Sequence, residues 1–248
     1  MLSSNNITSV SASLSERQKY TSLSNSDVHI WQVSLVPDRE RLNLCKSILD
    51  SATMQKAKWL KFEDDQNKYI ICQGILRLLL ANYLKIKTSE IVISRQKKGK
   101  PFVANETPVF FNMSDSGNIC VYAFSKFSEL GIDIEEKRNL PDLDELIKKN
   151  LTKKEIEYIN KKPAEKSNNF FRFWTIKEAY LKAIGEGMRL TPDKLEFSID
   201  GKKIKLIGQE EIYDQEDWLI KEFIPKTFYF GTLVMKNRNS EIMHYVID

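Results

Sequence analysis

The stretch "GIDIEE", residues Gly131–Glu136, predicts a β-strand with two unlike faces. Side chains alternate along a strand, so Ile132 and Ile134 point to one face while Asp133 and Glu135 point to the other. The Cα atoms of the two acids then lie roughly 6.5 Å apart, and the charges repel by about 2.5 kcal/mol at an effective dielectric constant of about 20. A solvated strand edge would screen this repulsion, and a bound cation would relieve it. The stretch alone leaves both interpretations open.

A second stretch, "NNFFRFWTIKEAYLKAIGEG", predicts a helix with an asparagine at its start and glycines at its end. Trp174, Glu178 and Lys182 recur at four-residue spacing and therefore share one face. Apolar residues flank this face, so the helix should be largely buried, with its charged stripe facing a cavity or a partner. The alternative is an ordinary surface Glu/Lys pair. With the two acids of the strand, Glu178 would form a set of oxygen donors that suits Mg²⁺.

The composition indicates a globular protein and excludes several classes of site. The chain has 248 residues, 42% hydrophobic and 10% aromatic, with a net charge of +4, which suits an anionic small molecule or an acidic protein partner and does not require nucleic acid. Cys45, Cys72 and Cys120 are odd in number and lack metal-ligand spacing, so we expect reduced, buried thiols in a cytoplasmic protein. Because His29 and His244 are the only histidines, a histidine-rich metal site or triad is not indicated.

The chain divides into a tail and two halves. Residues 1–27 are rich in Ser and Asn and lack the basic and apolar regions of a signal peptide, so they predict a flexible tail. Residues 28–126 and 127–248 each contain strands and helices, which predicts an α+β fold of two halves; no exact sequence repeat relates them, and only the order of their elements suggests a symmetry. One long helix is expected over residues 54–86. Its apolar part is interrupted by polar residues and is too short to span a membrane.

Four motifs follow one another along the chain. They are "GKPF" (99–102), "FNMSDSG" (111–117), "GIDIEE" (131–136) and "FWTIKEAYLKAIGEG" (173–187). In this order they resemble the 4'-phosphopantetheinyl transferases, specifically the monomeric surfactin-synthetase type. The most specific pair is G-I-D-I-E followed by W-x-x-K-E-x-x-x-K, whose glutamates Glu135 and Glu178 are 43 positions apart. The resemblance covers the chain from about Trp31 onward and implies two similar α+β halves with the active site at their junction.

The resemblance also implies a reaction. The 4'-phosphopantetheine arm of coenzyme A moves to a serine of an apo acyl or peptidyl carrier protein, and adenosine 3',5'-bisphosphate is released. The metal would be Mg²⁺, with Mn²⁺ as an alternative. The carrier would belong to fatty-acid, polyketide or nonribosomal peptide biosynthesis, and a cytoplasmic monomer that binds neither nucleic acid nor membrane is expected.

The resemblance assigns catalytic roles to four residues of the strand and the helix. Asp133, Glu135 and Glu178 would hold the metal against the pyrophosphate of coenzyme A. Either Glu135 or Glu178 would take the proton of the carrier serine, directly or through water. Lys182 would lie against the pyrophosphate and assist the leaving group. These roles agree with the charge pattern of the two stretches, in which a cation offsets the negative charge of a phosphoryl transfer.

The resemblance implies a further set of contacts to coenzyme A. These residues are Lys68, Lys100, Pro101, Ser114, Asp115 and Lys182. Lys68 stands where the family usually has arginine, so the charge is kept and the bidentate fork is lost. Asp115 replaces the family's usual histidine, which puts recognition of the 3'-phosphate in doubt because a carboxylate repels a phosphate. Lys56 is a looser match, and a solvated helix face explains it equally well.

Two other classes of protein are alternative interpretations of the sequence, a nuclease and a non-catalytic binding module. Asp115, Glu135 and Lys137 formally match the D...E-x-K pattern of metal-dependent nucleases, but that pattern is short, gives the helix no role, and lacks a strong basic stripe for a duplex. A non-catalytic module that binds a carrier protein or coenzyme A is the second rival. Clustered carboxylates weigh against it, since a binder of an anionic ligand gains nothing from them without a metal.

Overall fold

The computed structural model describes residues 7–11, 16–105, 109–186, 190–209, 218–236 and 240–247. Among them the helices are α1 (Arg39–Ile48), α2 (Ser51–Lys58), α3 (Glu63–Leu84), α4 (Leu143–Asn150), α5 (Lys153–Asn160) and α6 (Lys166–Ile184). The strands are β1 (Ile7–Ser11), β2 (Asp27–Ser34), β3 (Ile93–Arg95), β4 (Pro101–Val103), β5 (Phe110–Ser116), β6 (Ile119–Ser125), β7 (Leu130–Glu136), β8 (Leu195–Asp200), β9 (Lys203–Gln209), β10 (Leu219–Phe223), β11 (Tyr229–Met235) and β12 (Glu241–Ile247). The predicted α+β fold is confirmed.

Two sheets and two helices form successive layers. The first sheet has the strand order β1-β12-β2-β6-β5, and the second has the order β10-β11-β7. The long helix α3 packs on the outer face of the first sheet, and α6 packs on the outer face of the second. A third apolar cluster joins the facing sides of the two sheets. The hairpins β3-β4 and β8-β9 complete the architecture.

Strand β2 illustrates why the first sheet lies inside the molecule. Its side chains alternate between two apolar environments: Trp31 packs in the cluster that contains α3, whereas Ile30 packs in the cluster between the sheets. Both side chains are fully buried. Strand β7 repeats the pattern on one face only, because Ile132 and Ile134 enter the cluster between the sheets while the acids face α6. The predicted alternation of "GIDIEE" is therefore confirmed.

The helix expected over residues 54–86 is two helices. Phe62 is extended, with φ −106° and ψ 139°, and separates α2 from α3. The first turn of α3 contains three acidic residues, which favour a helix N-terminus at that point through the helix dipole. Trp59 and Phe62, at the junction, are exposed. The apolar periodicity of the sequence did not reveal this break, which covers residues 59–62.

The two ends of the chain differ from the sequence-based expectation. Residues 1–27 were predicted to be a flexible tail, but Ile7–Ser11 forms β1 and pairs in parallel with β12, and Asp27 already belongs to β2. Strand β12 in turn pairs in parallel with β2, so the last strand of the predicted second half lies in the sheet of the first. Residues 1–6 and 12–15 lie outside the described residues. The division at residues 126 and 127 stays a prediction.

In the part of the chain that the structure describes, no helix has both the length and the apolar character needed to cross a membrane.

Candidate active site

A glycine allows α6 to lie directly on β7. A Cβ atom at Gly131 would stand 2.0 Å from the carbonyl oxygen of Ala179 and 2.4 Å from the backbone nitrogen of Ala183. Any side chain at this position would therefore push the helix away from the strand. The close contact brings the Trp174, Glu178, Lys182 stripe of α6 over the acidic face of β7.

Asp133 is the most buried acid of the candidate site, with 5% of its surface exposed. Its Oδ1 accepts hydrogen bonds from Lys182 Nζ at 2.8 Å and from Ser114 Oγ at 2.8 Å. Its Oδ2 is buried and has no hydrogen-bond partner among the described residues. Burial raises the pKa of Asp133, although Lys182 and Ser114 act in the opposite direction. One buried carboxylate oxygen is thus left open to a ligand.

Glu135 lies further along the same face and is held by three donors. It accepts hydrogen bonds from Trp174 Nε1 at 3.1 Å, from Ser116 Oγ at 3.1 Å and from Arg138 Nη1 at 2.9 Å. Both of its oxygens are engaged, since the indole binds Oε1 and the other two donors bind Oε2. These three hydrogen bonds fix the position of the carboxylate.

Glu178 interacts electrostatically with the two acids of β7. Its pKa is raised by burial first and by the negative charges of Asp133 and Glu135, while Lys182 opposes the shift. The three carboxylates are therefore electrostatic neighbours, and Lys182 offsets the charges of Asp133 and Glu178. Among the residues that the structure describes, no group of three or more His, Cys, Asp or Glu side chains is already arranged to hold a metal ion.

The chemistry of these donors nevertheless fits a hard cation. Asp133 Oδ2 is a buried acceptor without a partner among the described residues, and an unpaired buried oxygen is costly. Oxygen ligands, and carboxylates in particular, are those that Mg²⁺ prefers. A cation beside Asp133 would also reduce the repulsion that raises the pKa of Glu178. The site thus suits a divalent metal by its donor set and does not hold the donors in a finished coordination geometry.

A row of side chains from β5 fixes the free edge of β7. One edge of β7 pairs with β11, and the other faces β5. Alternate β5 side chains accept hydrogen bonds there from β7 backbone N–H groups: Asn112 Oδ1 from Ile132 (3.0 Å), Ser114 Oγ from Ile134 (3.4 Å) and Ser116 Oγ from Glu136 (3.0 Å). The row satisfies an otherwise unpaired strand edge and joins the two sheets next to the acids.

A cavity of about 870 Å³ opens beside α6. Its lining includes Trp174, Glu178 and Lys182 from the stripe, together with Lys100 and Pro101. Apolar side chains from several elements complete the wall: Leu76, Ile93, Met113, Leu181, Leu190 and Pro192. The wall also contains further basic side chains, Arg95 and Lys98, and a cavity that combines apolar area with polar groups is typical of a site for a small molecule or cofactor. The stripe therefore faces a cavity, as the sequence predicted.

Lys100, predicted to contact coenzyme A, is a buried brace. Its Nζ donates to the carbonyl oxygens of Leu130 at 3.2 Å and Ala183 at 2.9 Å, and it pairs with Glu129. Burial lowers the pKa of Lys100 in spite of this partner. The ammonium ties the start of β7 to the end of α6, so its structural role is direct. Any contact to coenzyme A stays a prediction.

The remaining predicted contacts lie around the β5–β6 turn. Ser114 hydrogen-bonds Asp133, as described, and Lys68 Nζ donates to the carbonyl oxygen of Gly117 at 3.0 Å. Asp115 is exposed on β5. Removal of water by neighbouring groups raises its pKa, against the opposing positive charges of Lys182 and Lys68. Asp115 and Lys68 are thus electrostatic neighbours at the edge of the site.

The structure adds no support for two sequence predictions, the contact of Lys56 with coenzyme A and the nuclease pattern. Lys56 is exposed in the last turn of α2, as a solvated helix face would be. Lys137, the third residue of the nuclease pattern, is also exposed. The bond of Glu135 to Trp174 links it instead to α6, the helix that the nuclease pattern leaves without a role.

Sequence reasoning missed several residues that organise the site. Asn112 and Ser116 were not singled out, although their two-residue spacing from Ser114 places all three on one face of a strand. Arg138 lies three residues after Glu135, and nothing in its position distinguished it from a surface charge. Gly131 was quoted only as the first residue of its motif, because its close contact with α6 is a tertiary feature.

Comparison with known proteins identifies the class. Residues 129–232 match the model of the 4'-phosphopantetheinyl transferase superfamily, and residues 33–127 match the model of the N-terminal region of a 4'-phosphopantetheinyl transferase. A relative from Nostoc sp., named 4'-phosphopantetheinyl transferase HetI, is 32% identical over 170 residues, which cover 67% of this chain and 72% of that protein. The chain belongs to the 4'-phosphopantetheinyl transferase superfamily and is an enzyme of that class.

Mammalian relatives match over a smaller share of their length. The L-aminoadipate-semialdehyde dehydrogenase-phosphopantetheinyl transferase of Rattus norvegicus is 32% identical over 184 residues, or 65% of this chain and 58% of that protein. The Homo sapiens protein of the same name is 33% identical over 186 residues, or 70% and 60%. The chain thus matches less than two thirds of the length of these two relatives.

Proposed function

We propose that this enzyme transfers the 4'-phosphopantetheine arm of coenzyme A to a serine of an apo acyl or peptidyl carrier protein and releases adenosine 3',5'-bisphosphate. The observation that carries the proposal is the meeting of Glu178 and Lys182 of α6 with Asp133 of β7, beside a cavity of about 870 Å³. Membership of the superfamily supports transfer of phosphopantetheine as the reaction.

The metal would be held by Asp133 together with Glu135 and Glu178. The open Oδ2 of Asp133 and the raised pKa of Glu178 support this set. Magnesium is the preferred ion, and manganese is an alternative with similar ligands. When bound, such an ion neutralises diphosphate charge. Glu135 would first have to exchange some of its three hydrogen bonds for the ion, since both of its oxygens are engaged.

Lys182 provides the positive charge between Asp133 and the cavity. Its side chain is 29% exposed, lines the cavity and donates to Asp133 Oδ1 and to the carbonyl oxygen of Ile132. An ammonium in this position can donate to a phosphate oxygen on its cavity side. Negative charge develops on the bridging oxygen of the diphosphate when its bond to the pantetheine-side phosphorus breaks, so Lys182 would stabilise the departing adenosine bisphosphate.

Glu178 is the better candidate for the base. The serine Oγ attacks the phosphorus that carries the pantetheine arm, the phosphoanhydride bond to the adenosine side breaks, and the serine proton must go to a carboxylate. Both oxygens of Glu135 already accept hydrogen bonds from three donors, so neither is free to take a proton without breaking one of them. The pKa of Glu178 is raised by burial and by the neighbouring acids Asp133 and Glu135, which favours uptake of a proton there. Glu178 also lines the cavity that coenzyme A would occupy.

We further propose a monomer that acts in the cytoplasm. Every residue of the proposed site belongs to one chain, so no second subunit is needed to complete it. Cys45, Cys72 and Cys120 are free and buried, which suits a reducing compartment. The surfactin-synthetase subtype, suggested by the motifs, belongs to the same proposal.

A transfer assay tests the proposal. The purified enzyme is mixed with coenzyme A, Mg²⁺ and each of several apo acyl and peptidyl carrier proteins, and the mass of each carrier is followed. We expect at least one carrier to gain a single phosphopantetheine group. The Glu178→Ala variant, shown by circular dichroism to be folded, should not modify it. No gain of mass on any carrier would contradict the proposed function.

A further inference from the structure

The loop between β10 and β11 exposes two large apolar side chains. Ile224 is 75% exposed and Phe228 is 70% exposed. Phe228 also has a positive φ of 67°, a left-handed conformation that is rare for a bulky residue. Strained conformations persist where the surrounding structure imposes them, and they concentrate at functional sites. Here the strained residue presents an aromatic ring to solvent.

This loop lies at the rim of the proposed active site. Strands β11 and β7 pair so that Phe230 is opposite Glu135 and Tyr229 is opposite Glu136. The carbonyl oxygen of Phe228 accepts a hydrogen bond from the backbone nitrogen of Lys137 at 2.7 Å, which extends the pairing by one residue. Phe228 is therefore two residues along the strand from the partner of Glu135, or roughly 7 Å.

Two exposed lysines lie in the segments around the two apolar side chains. The loop segment 224–228 contains Lys226 and no acidic residue, and the adjoining segment 137–139, which follows Glu136, contains Lys137 and also Arg138, whose guanidinium pairs with Glu135. Lys137 and Lys226 are exposed. We call the surface formed by Ile224, Lys226, Phe228 and Lys137 the rim patch. It combines apolar area with positive charge, which suits a partner surface that has acidic residues around an apolar one.

We propose that the rim patch is the docking surface for the apo carrier protein. The inference rests on the proposed function, because it takes the carrier as the second substrate. A carrier must bring its serine to the carboxylates of β7 and α6, so the surface around that serine contacts residues that border these carboxylates. The rim patch begins two residues along β11, or roughly 7 Å, from the residue opposite Glu135, and it has the charge that an acidic carrier surface requires.

A second exposed apolar surface serves as the matched control. Trp59, Leu60 and Phe62, at the junction of α2 and α3, are exposed and lie among lysines. Their connection to the site runs through α3, where Lys68 is six residues, or about 9 Å, beyond Phe62 and bonds the β5–β6 turn. That surface is thus adjacent to the predicted contacts of coenzyme A, whereas the rim patch follows Glu135 along the paired strands β7 and β11.

The experiment compares Phe228→Gly, Ile224→Ser and Lys226→Glu with the control Trp59→Ser. We expect the first three to raise the KM for an apo acyl or peptidyl carrier protein about tenfold, with the KM for coenzyme A and the kcat at saturating carrier unchanged. Trp59→Ser should leave the carrier KM unchanged. The Tm of Phe228→Gly should not fall, because glycine adopts a positive φ without strain. In the wild type, added salt should raise the carrier KM more than in Lys226→Glu.

A direct binding measurement separates this proposal from the proposed function. Apo carriers are titrated into wild type, Phe228→Gly and Trp59→Ser without coenzyme A, so the result does not depend on turnover. Weaker binding by Phe228→Gly alone supports the rim patch. Equal binding by all three, loss in Trp59→Ser alone, or no binding of any carrier by the wild type overturns it. The proposal is also overturned if Phe228→Gly weakens binding to phosphatidylserine vesicles and leaves carrier binding unaffected.

Discussion

Two lysine–carboxylate pairs on α6 differ in how completely they are satisfied. Lys177 and Glu155 form the first pair, 2.6 Å apart, and both side chains are completely buried. Lys177 Nζ also donates to the carbonyl oxygens of Asn150 and Pro192, each at 2.9 Å. Glu155 accepts further bonds from the backbone nitrogens of Phe197 and of its own helix cap. Every charge in this pair has its partners within the protein.

The second pair, Lys182 with Asp133, is incomplete. The two groups are 2.8 Å apart, with side chains 29% and 7% exposed, and Asp133 Oδ2 has no partner among the described residues. Lys182 lines the cavity, and Glu178 adds a second negative charge nearby. Lys177 and Lys182 lie five positions apart on one helix. The Lys177 pair stabilises the fold, whereas in the Lys182 pair the Asp133 carboxylate can still bind a metal and the Lys182 ammonium can still bind a phosphate.

The largest effect on stability is expected from breaking the complete pair. Lys177→Met leaves the Glu155 carboxylate buried without its cation, which costs roughly 3–5 kcal/mol. Urea unfolding followed by circular dichroism measures this loss. Because burial already raises the pKa of Glu155 and Lys177 opposes that shift, the loss should shrink at low pH, where the carboxyl is protonated. A loss below about 1 kcal/mol at neutral pH would show that the pair is not needed.

The incomplete pair should affect activity more than stability. Lys182→Met removes the ammonium that faces the cavity, and we expect kcat/KM for transfer to fall about 10²–10³-fold, or about 3–4 kcal/mol. Its loss in unfolding free energy should be smaller than that of Lys177→Met measured in the same buffer, because Lys182 is partly solvated. A variant that keeps wild-type turnover would remove Lys182 from the mechanism.

Removing the charge of Glu178 should stabilise the metal-free protein. The folded-state pKa of Glu178 is raised, so ionisation disfavours the fold, and stability is lost as the pH rises through that pKa. Glu178→Gln avoids this loss, and its Tm should exceed that of the wild type at pH 8 by a few degrees at most and match it more closely near pH 4. Thermal unfolding in a chelator gives the comparison, and a lower Tm for the variant at pH 8 would refute this electrostatic account.

The smallest effect is expected at Asp115. Asp115→Asn removes a negative charge beside Lys68 and Lys182, so the KM for coenzyme A should fall by about twofold to fivefold, less than about 1 kcal/mol. Dephospho-coenzyme A, which lacks the 3'-phosphate, should show a smaller change. Steady-state kinetics with both donors measure the difference. Equal changes for the two donors would mean that Asp115 does not act on the 3'-phosphate.

Local periodicity in the sequence was enough to predict the elements of the site. The two-residue alternation of "GIDIEE" and the four-residue spacing of Trp174, Glu178 and Lys182 each depend on backbone geometry alone, and the structure confirms both faces. The family motifs further predicted that this strand and this helix lie together in one site. The family resemblance was confirmed by comparison, whereas the roles of the individual residues stay predictions.

The features that sequence could not supply depend on contacts between distant segments. Lys177 and Lys182 lie in one motif, and only the positions of Glu155 and Asp133 make one pair complete and the other incomplete. The brace formed by Lys100 depends in the same way on the meeting of β7 and α6. The parallel addition of β12 to β2 joins strands that are more than two hundred residues apart in the chain.

The mass of an apo carrier after incubation with coenzyme A and Mg²⁺ tests the central claim most directly, when the wild type is compared with Asp133→Asn. Asparagine keeps the size of the side chain and removes the charge that pairs with Lys182 and would bind the metal. We predict that the wild type adds one phosphopantetheine group, that a chelator abolishes the addition, and that folded Asp133→Asn adds none on the same time scale. Full transfer by Asp133→Asn, or by the wild type in the presence of chelator, would contradict the account.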